Sequence, residues 1–482
     1  MTELVQQVGG SVRVAVIGGG LAGLAAAVRL ADSGRQVQLF ESSSRLGGAT
    51  ASFNRAGSGG RPALRVDTGQ HVLLRCYHAY LELLGRFGVT DQVDMQDRLD
   101  LPVLLPGRRT ARLRRSAYLP APLHLATALV GYHALPPKDR IRAAAAALKL
   151  GRIDPDDPAT DEQTFGAWLY RHHQSDLAIE RLWGLITVAA LNIGPDQASL
   201  GLAAKVLRTG LLDHRAAGDI GIPRAPLSAL HAQPADRLLR SLGAAVHLQE
   251  RVRQIDPQAT RSKSGAASGF RLRTSTRELT FDEVVVAVPH PQAAALVPAQ
   301  ACPQAADWSG LGASPIVNVH LVLDRQVLPM PFAAAPGSSV QWVFDRSEAA
   351  GLTRGQYLVT SVSDAGASLP ERTDTLRTDQ LAALTRLLPK LAEARVLDSF
   401  VTREPRATFR QRAGTRMLRP GPATLLPGLA LAGAWTATGW PDTMEGAVRS
   451  GNAAADLLLG ASAAGTDARY RAPGQSVLLE AR

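Results

Sequence analysis

Residues Ser11 to Ala27 read Ser-Val-Arg-Val-Ala-Val-Ile-Gly-Gly-Gly-Leu-Ala-Gly-Leu-Ala-Ala-Ala, and no other stretch constrains the fold as strongly. Val12, Val14, Val16 and Ile17 have the composition of a buried β-strand. Gly18, Gly20 and Gly23 make a tight turn, and Leu21 to Leu30 reads as a helix. A strand, a glycine turn and a helix start in succession build a pyrophosphate site, because the first helical amides point at the anion. Gly18 permits the turn, Gly20 allows close approach of a phosphate, and Gly23 allows helix and strand to pack. Leu21 and Ala22 supply amides at the helix start.

A bare glycine turn of this spacing is a weak signal, so its context matters. A second strand, Val37 to Phe40, follows and ends at Glu41. Glu41 lies 18 positions after Gly23, close to the spacing at which an acid meets ribose hydroxyls. Next comes Ser-Ser-Ser-Arg45-Leu-Gly47-Gly48. Arg45 is open to two readings: a contact to the pyrophosphate and ribityl chain, or a seat for the 2′-phosphate of NADP. The charge of Glu41 argues against the second.

The acid, arginine and Gly-Gly order resembles that of the amine oxidase and phytoene desaturase superfamily of FAD enzymes. The resemblance implies FAD as cofactor, held in part by Arg45, Gly47 and Gly48. A further arginine often follows the glycine pair in that superfamily, and Ala49 stands there instead. A second signature lies at Leu429 to Gly451: a strand to Gly433, a loop, then a helix start near Thr443. A helix N-terminus there stabilises negative charge on a reduced flavin. This stretch resembles the C-terminal FAD fingerprint of the same superfamily, which implies cofactor contacts at Gly433, Ala434, Thr443, Met444 and Ala447. Ala434 replaces the usual acidic residue. Gly69 and Val252 complete the expected cofactor shell.

The chain has 482 residues, enough for two or three domains' worth of core. The expected fold class is α/β: a discontinuous Rossmann-like FAD-binding domain with an inserted mixed α+β substrate domain. The segments 12–75, 225–295 and 415–460 are assigned to the first; 76–224, mainly helical, and 296–414, mainly sheet, to the second; 461–482 to a polar tail. Val66 to Leu74 and Phe281 to Pro289 each read as a strand, residues 55–62 as a hairpin tip and 257–269 as a polar loop. Within the substrate region, Val317 to Leu323 and Tyr357 to Val362 read as strands and 378–394 as a helix.

Two cysteines, Cys76 and Cys302, build neither a disulfide framework nor a metal site, and no metal is expected. A cytoplasmic setting fits, and the first ten residues carry no apolar signal run. The net charge of +11 is carried almost wholly by arginine and lacks the basic-aromatic interleaving of a nucleic-acid site, so no nucleic-acid partner is expected. One cluster stands out: Arg108, Arg109, Arg112, Arg114 and Arg115, running into an apolar stretch at 117–132. Basic followed by apolar suits contact with an anionic membrane surface, here the inner face of the cell membrane; the alternative is a solvated arginine loop before a core helix. Pro120, Pro122 and His124 exclude a membrane span.

The segment Val66 to Leu74 with Tyr77-His78, and the segment Trp435 to Gly451, resemble one branch of the superfamily, the hydroxysqualene dehydroxylases of bacterial hopanoid pathways. The resemblance runs over residues 12–458. It implies loss of an allylic hydroxyl as water and hydride transfer from reduced FAD, giving squalene, with an apolar isoprenoid substrate and an electron donor that the residues do not name. Such chemistry needs a dry pocket and one proton donor. His71 and Tyr77 are the candidates, although His71 equally suits a flavin or backbone hydrogen bond and Tyr77 the core. Phe165, Trp168, Trp183 and Trp342 are candidate lining residues. The alternatives are a desaturase of a carotenoid or other polyprenoid, a soluble amine oxidase, and a flavin-binding scaffold of a membrane terpenoid complex.

Overall fold

The computed structural model describes residues 11–57, 62–258 and 269–460. The tail expected at 461–482, the glycine-rich tip at 58–61 and most of the polar loop, 259–268, lie outside the described residues.

Strand Arg13–Ile17 is buried from Val14 onward because its residues are apolar on both faces, as a central parallel strand requires. It pairs in parallel with Gln36–Phe40 on one side and Glu283–Val286 on the other. Ala245–His247 extends the first side and Leu429–Leu431 the second, giving a five-stranded parallel sheet. The chain order across this sheet reverses at Arg13–Ile17, so a crevice opens there at the carboxyl ends of the strands. Helix Leu21–Asp32 returns from that point with ten of its twelve residues buried, mostly Ala and Leu. Helix Met444–Leu458 packs beside it and shares its core through Met444, Val448, Ala454 and Ala455.

A second, seven-stranded sheet holds Ser314–Leu323 and Val396–Thr408 at one end. At its other end lie Asp100–Val103 and Ala111–Arg114, from a region whose composition reads as helical. Leu101 pairs with Leu113 and Val103 with Ala111, and this two-residue alternation makes the segment a sheet edge. Helices follow from residue 126 to 207.

Three further segments depart from the sequence reading. Val66 to Leu74 is two strands, Leu64–Asp67 and Leu73–Leu74, separated by a loop over 68–72. Phe281 to Pro289 breaks at Asp282, whose carboxylate accepts the Arg13 amide, so Glu278–Phe281 joins a small antiparallel sheet while Glu283–Val286 joins the main one. The helix expected at 378–394 spans Thr373–Leu387 and passes into a 3-10 turn, Pro389–Glu393.

The basic cluster is divided. Arg115 is buried and forks onto the fully buried Asp219 at 2.7 and 2.9 Å, while Arg112 and Arg114 pair with Asp100. Arg108 and Arg109 remain on the exposed turn.

Candidate functional site

One cavity of about 1570 Å³ runs from the glycine turn into the helical region. Its volume exceeds the roughly 300–1,000 Å³ that a single small ligand needs, so it has room for a dinucleotide and a second molecule.

At one end the turn is built by close backbone approach. Gly18 has φ +111°, and a Cβ on Gly23 would stand 1.9 Å from the Gly18 carbonyl oxygen. Only glycine fits either position. Gly20 forms a parallel bridge to Gly47, and Gly48 lies against Gly20. The Glu41 carboxylate accepts the Gly19 amide at 2.7 Å and the Ser43 amide at 2.7 Å, which fixes the acid beside the turn with lone pairs to spare for hydroxyl donors.

Gly18, Gly20, Leu21, Ala22, Glu41, Gly47, Gly48, Gly69 and Val252 all line this cavity. So do Gly433, Ala434, Thr443, Met444 and Ala447 from the C-terminal signature. Gly23 lies beneath the turn rather than on the wall. Arg45 is exposed at the rim, and its charge acts on Glu404. Ala49 lines the wall as well, so the cavity keeps two apolar positions where charged contacts are common in the superfamily it resembles.

The second signature is held by the helix start read at Thr443 and by a residue whose role sequence reading missed. Thr443 caps helix Met444–Leu458 by accepting the Gly446 amide at 3.1 Å. The loop before it is clamped by Arg419, whose guanidinium donates to the carbonyls of Ala434, Trp435, Thr436 and Trp440. Burial pulls this arginine down to about 10. Its hydrogen-bond partners are all main-chain, so no side-chain pattern in the sequence points to it. Asp442, immediately before the cap, also lines the cavity.

His71 and Tyr77 both face the cavity. Burial lowers the His71 pKa below the usual imidazole range, partly offset by the hydrogen bond of its Nδ1 with the Gly69 carbonyl at 3.2 Å. Burial raises the Tyr77 phenol well above its ordinary range, and its oxygen is hydrogen-bonded to the Thr443 side chain. Its ring packs edge-on against Trp440. A neutral imidazole and a desolvated phenol are both poor acids at neutral pH.

The far end of the cavity is apolar. Leu101 and Leu113 of the sheet edge, Leu125 and Leu129, Ala147 and Leu150, Leu182 and Leu185, and Leu207 and Leu211 line it. Trp183 and Trp342 line it too. Phe165 and Trp168 instead stack on each other in the core behind it. The helical region thus turns one apolar face inward on the chamber, with the glycine turn at the other end of the same space. The glycine geometry, the fixed acid and the capped helix start suit a pyrophosphate, a ribose and an anionic ring respectively.

Comparison with known proteins places the chain among flavin enzymes. Residues 21–459 match the family described as flavin containing amine oxidoreductase. A hydroxysqualene dehydroxylase of Rhodopseudomonas palustris is 32% identical over 94% of this chain and 99% of its own length. A zeta-carotene desaturase of Synechocystis is 24% identical over 93% of this chain and 97% of its own. Among solved structures, an oxidoreductase from Methanosarcina mazei superposes with a TM-score of 0.68 at 17% identity, covering 91% of this chain and 99% of that one. The chain belongs to the flavin-containing amine oxidoreductases, in the family of the hydroxysqualene dehydroxylases, and is an FAD-dependent oxidoreductase.

Proposed function

We propose that the chain reduces hydroxysqualene to squalene in a hopanoid-forming route, with FAD resident in the cavity described above. The observation that carries this reading is the single cavity that joins the glycine turn to an apolar chamber walled by leucine, alanine and tryptophan. A polar amine substrate would gain nothing from such walls, whereas a polyprenoid gains about 25 cal/mol for each Å² of apolar surface removed from water.

In this reading the Gly18–Gly23 turn holds the pyrophosphate, Glu41 the ribose, and Gly47 and Gly48 the middle of the cofactor, with Arg45 at its rim. Thr443, Met444 and Ala447 bring a helix N-terminus to the ring, beside Gly433 and Ala434. Gly69 and Val252 close the remaining walls. Bound in reduced form, FAD supplies the hydride. The chain excludes water, orients the allylic carbon and moves a proton to the leaving oxygen. In the same proposal, segments 12–75, 225–295 and 415–460 form the cofactor domain and the rest of 76–414 the substrate domain.

The substrate would enter from a membrane. Tyr118, Leu123, Val130, Ile141 and Leu148 are exposed apolar side chains, and the same helices turn Leu125, Leu129, Ala147 and Leu150 into the chamber. Exposed Arg108, Arg109, Lys138, Arg142 and Lys149 flank them, a composition suited to an anionic leaflet. Among the described residues no helix is long and apolar enough to cross a membrane, so the proposed contact is peripheral, at the inner face of the cell membrane.

The test is anaerobic incubation of the reduced holoprotein with hydroxysqualene. Squalene formation with flavin reoxidation is the expected result. No squalene, together with desaturation of phytoene or squalene by the oxidised holoprotein, would move the assignment to a polyprenoid desaturase.

A further inference from the structure

Asp442 ends the loop that joins the strand Leu429–Leu431 to helix Met444–Leu458, one residue before the cap. Its position is fixed from two sides. Its amide donates to Gln411 Oε1 at 2.9 Å, and the fully buried Gln411 donates in turn to the Leu191 carbonyl at 2.9 Å. Its Oδ2 accepts the Phe409 amide at 2.9 Å. No hydrogen bond occupies Oδ1 among the described residues, and the side chain lines the cavity beside Thr408, Phe409, Thr443 and Met444. Asp442 therefore sits where the C-terminal signature meets the substrate sheet, with one oxygen available to a ligand.

We propose that the Asp442 carboxyl is the catalytic acid that protonates the departing hydroxyl group of the substrate. The proposal rests on the reading of the site as reducing an allylic alcohol. In the step, the Asp442 O–H bond breaks and its proton passes to the substrate oxygen. The allylic C–O bond then breaks and water leaves. Reduced flavin, when bound, would supply the hydride that makes the new C–H bond, so that the substrate carbon is reduced and the flavin oxidised. The carboxylate regains a proton from solvent.

The electrostatic surroundings suit this role. Burial raises the Asp442 carboxyl from its ordinary range to about 6, so it holds a transferable proton close to neutral pH. Arg419 is the charged group that acts on it, but its guanidinium is committed to four main-chain carbonyls. The segment after strand Val396–Thr408 presents the Phe409 amide, Gln411 is neutral, and Tyr77 reaches Thr443. Of the other carboxylates on the cavity wall, Glu41 is engaged by the turn and Glu250 by Arg277, while Glu404 lies under the charge of Arg45 at the rim.

The experiment compares FAD-loaded wild type, Asp442→Asn and Asp442→Glu in anaerobic single turnovers of hydroxysqualene from about pH 5 to about pH 8. Asp442→Asn is expected to slow flavin reoxidation and squalene formation roughly 10²- to 10⁴-fold, with flavin content retained and no loss of thermal stability. Asp442→Glu is expected to recover most of the rate with a displaced pH profile. Infrared spectra of the cofactor-free protein give an independent readout. A protonated-carboxyl band titrating near 6 is expected in wild type and absent in Asp442→Asn. An Asp442→Asn protein that works at the wild-type rate and pH profile overturns the proposal alone. A wild type that forms no squalene overturns the underlying reading and the proposal with it.

Discussion

The fully buried Glu445 carboxylate accepts the main-chain amide of Tyr80 at 2.8 Å, and that of Ala79 at 3.2 Å with its other oxygen. It thereby caps helix His78–Phe87 from the first turn of helix Met444–Leu458, 365 residues further along the chain. Arg449, one turn on, pairs with the same carboxylate at 2.7 Å. The start of the C-terminal helix is therefore positioned by a charged contact to another element as well as by its own Thr443 cap.

Replacing Glu445 should accordingly do more than remove a cap. Glu445→Ala leaves two buried amides unsatisfied and Arg449 without this partner carboxylate, a change that costs about 3–5 kcal/mol. Glu445→Gln keeps one acceptor and should cost about half as much. Urea unfolding of the two variants checks the ranking. Both should also bind FAD more weakly, because Thr443 and Met444 move with the helix start.

Gly23 governs the other end of the proposed cofactor site. The Cβ of Gly23→Ala would stand 1.9 Å from the Gly18 carbonyl, which is backbone and cannot rotate away. Overpacking of this kind costs about 1–3 kcal/mol. If the cost falls on the bound state, FAD affinity drops by about 5- to 150-fold. The visible flavin absorbance per mole of purified protein measures it, and added FAD should restore part of the signal.

The glycine turn and the capped helix start at the two ends of the candidate site were legible in the chain because each is a local device. A glycine turn needs Gly18, Gly20 and Gly23 within six residues, and a capped helix start needs Thr443 beside its helix. What joins them is not local. Arg419 acts on carbonyls, which every residue has, so its identity carries no signal until the loop is folded around it. The apolar chamber draws on leucines from Leu101 to Leu211 that also read as ordinary core. Arg115 looked like part of a basic surface because its partner, Asp219, is 104 residues away. The sheet edge at Asp100–Val103 is four residues long, too short for a two-residue alternation to stand out beside the long helices that follow.

The outer face of the helical region carries the membrane proposal, and it can be tested apart from catalysis. Tyr118, Leu123 and Val130 are 90%, 58% and 74% exposed. Burying each in a bilayer interface contributes on the order of 1–2 kcal/mol, so a Leu123→Glu, Val130→Glu double variant should lose most of its affinity for anionic vesicles. Wild type should float with vesicles rich in anionic lipid and be released partly as salt rises, because Arg108, Arg109, Lys138 and Arg142 are exposed and screened. Turnover of detergent-dispersed substrate should be unchanged in the double variant. A wild type that stays at the bottom of the gradient removes the membrane reading.

The half-buried Asp442 makes stability depend on pH in a direction opposite to that of a paired carboxylate. Its folded pKa is raised from 3.8 to about 6, so the folded state resists its ionisation. Below about 4 the group is protonated whether the chain is folded or not, and it costs nothing. As pH rises towards 6 the unfolded chain ionises first, and stability is lost across that window. Above it the cost stays constant at about 3 kcal/mol, from 1.36 kcal/mol per pKa unit, less what water in the cavity offsets. Asp442→Asn never ionises. In the cofactor-free protein it should match wild type near pH 4 and exceed it by about 1–3 kcal/mol at pH 7, with the difference opening between those values. Denaturant melts at a series of pH values measure this. A difference that is flat with pH would mean that the carboxyl is solvated and keeps an ordinary pKa. A difference of the opposite sign would mean that Arg419 holds it ionised.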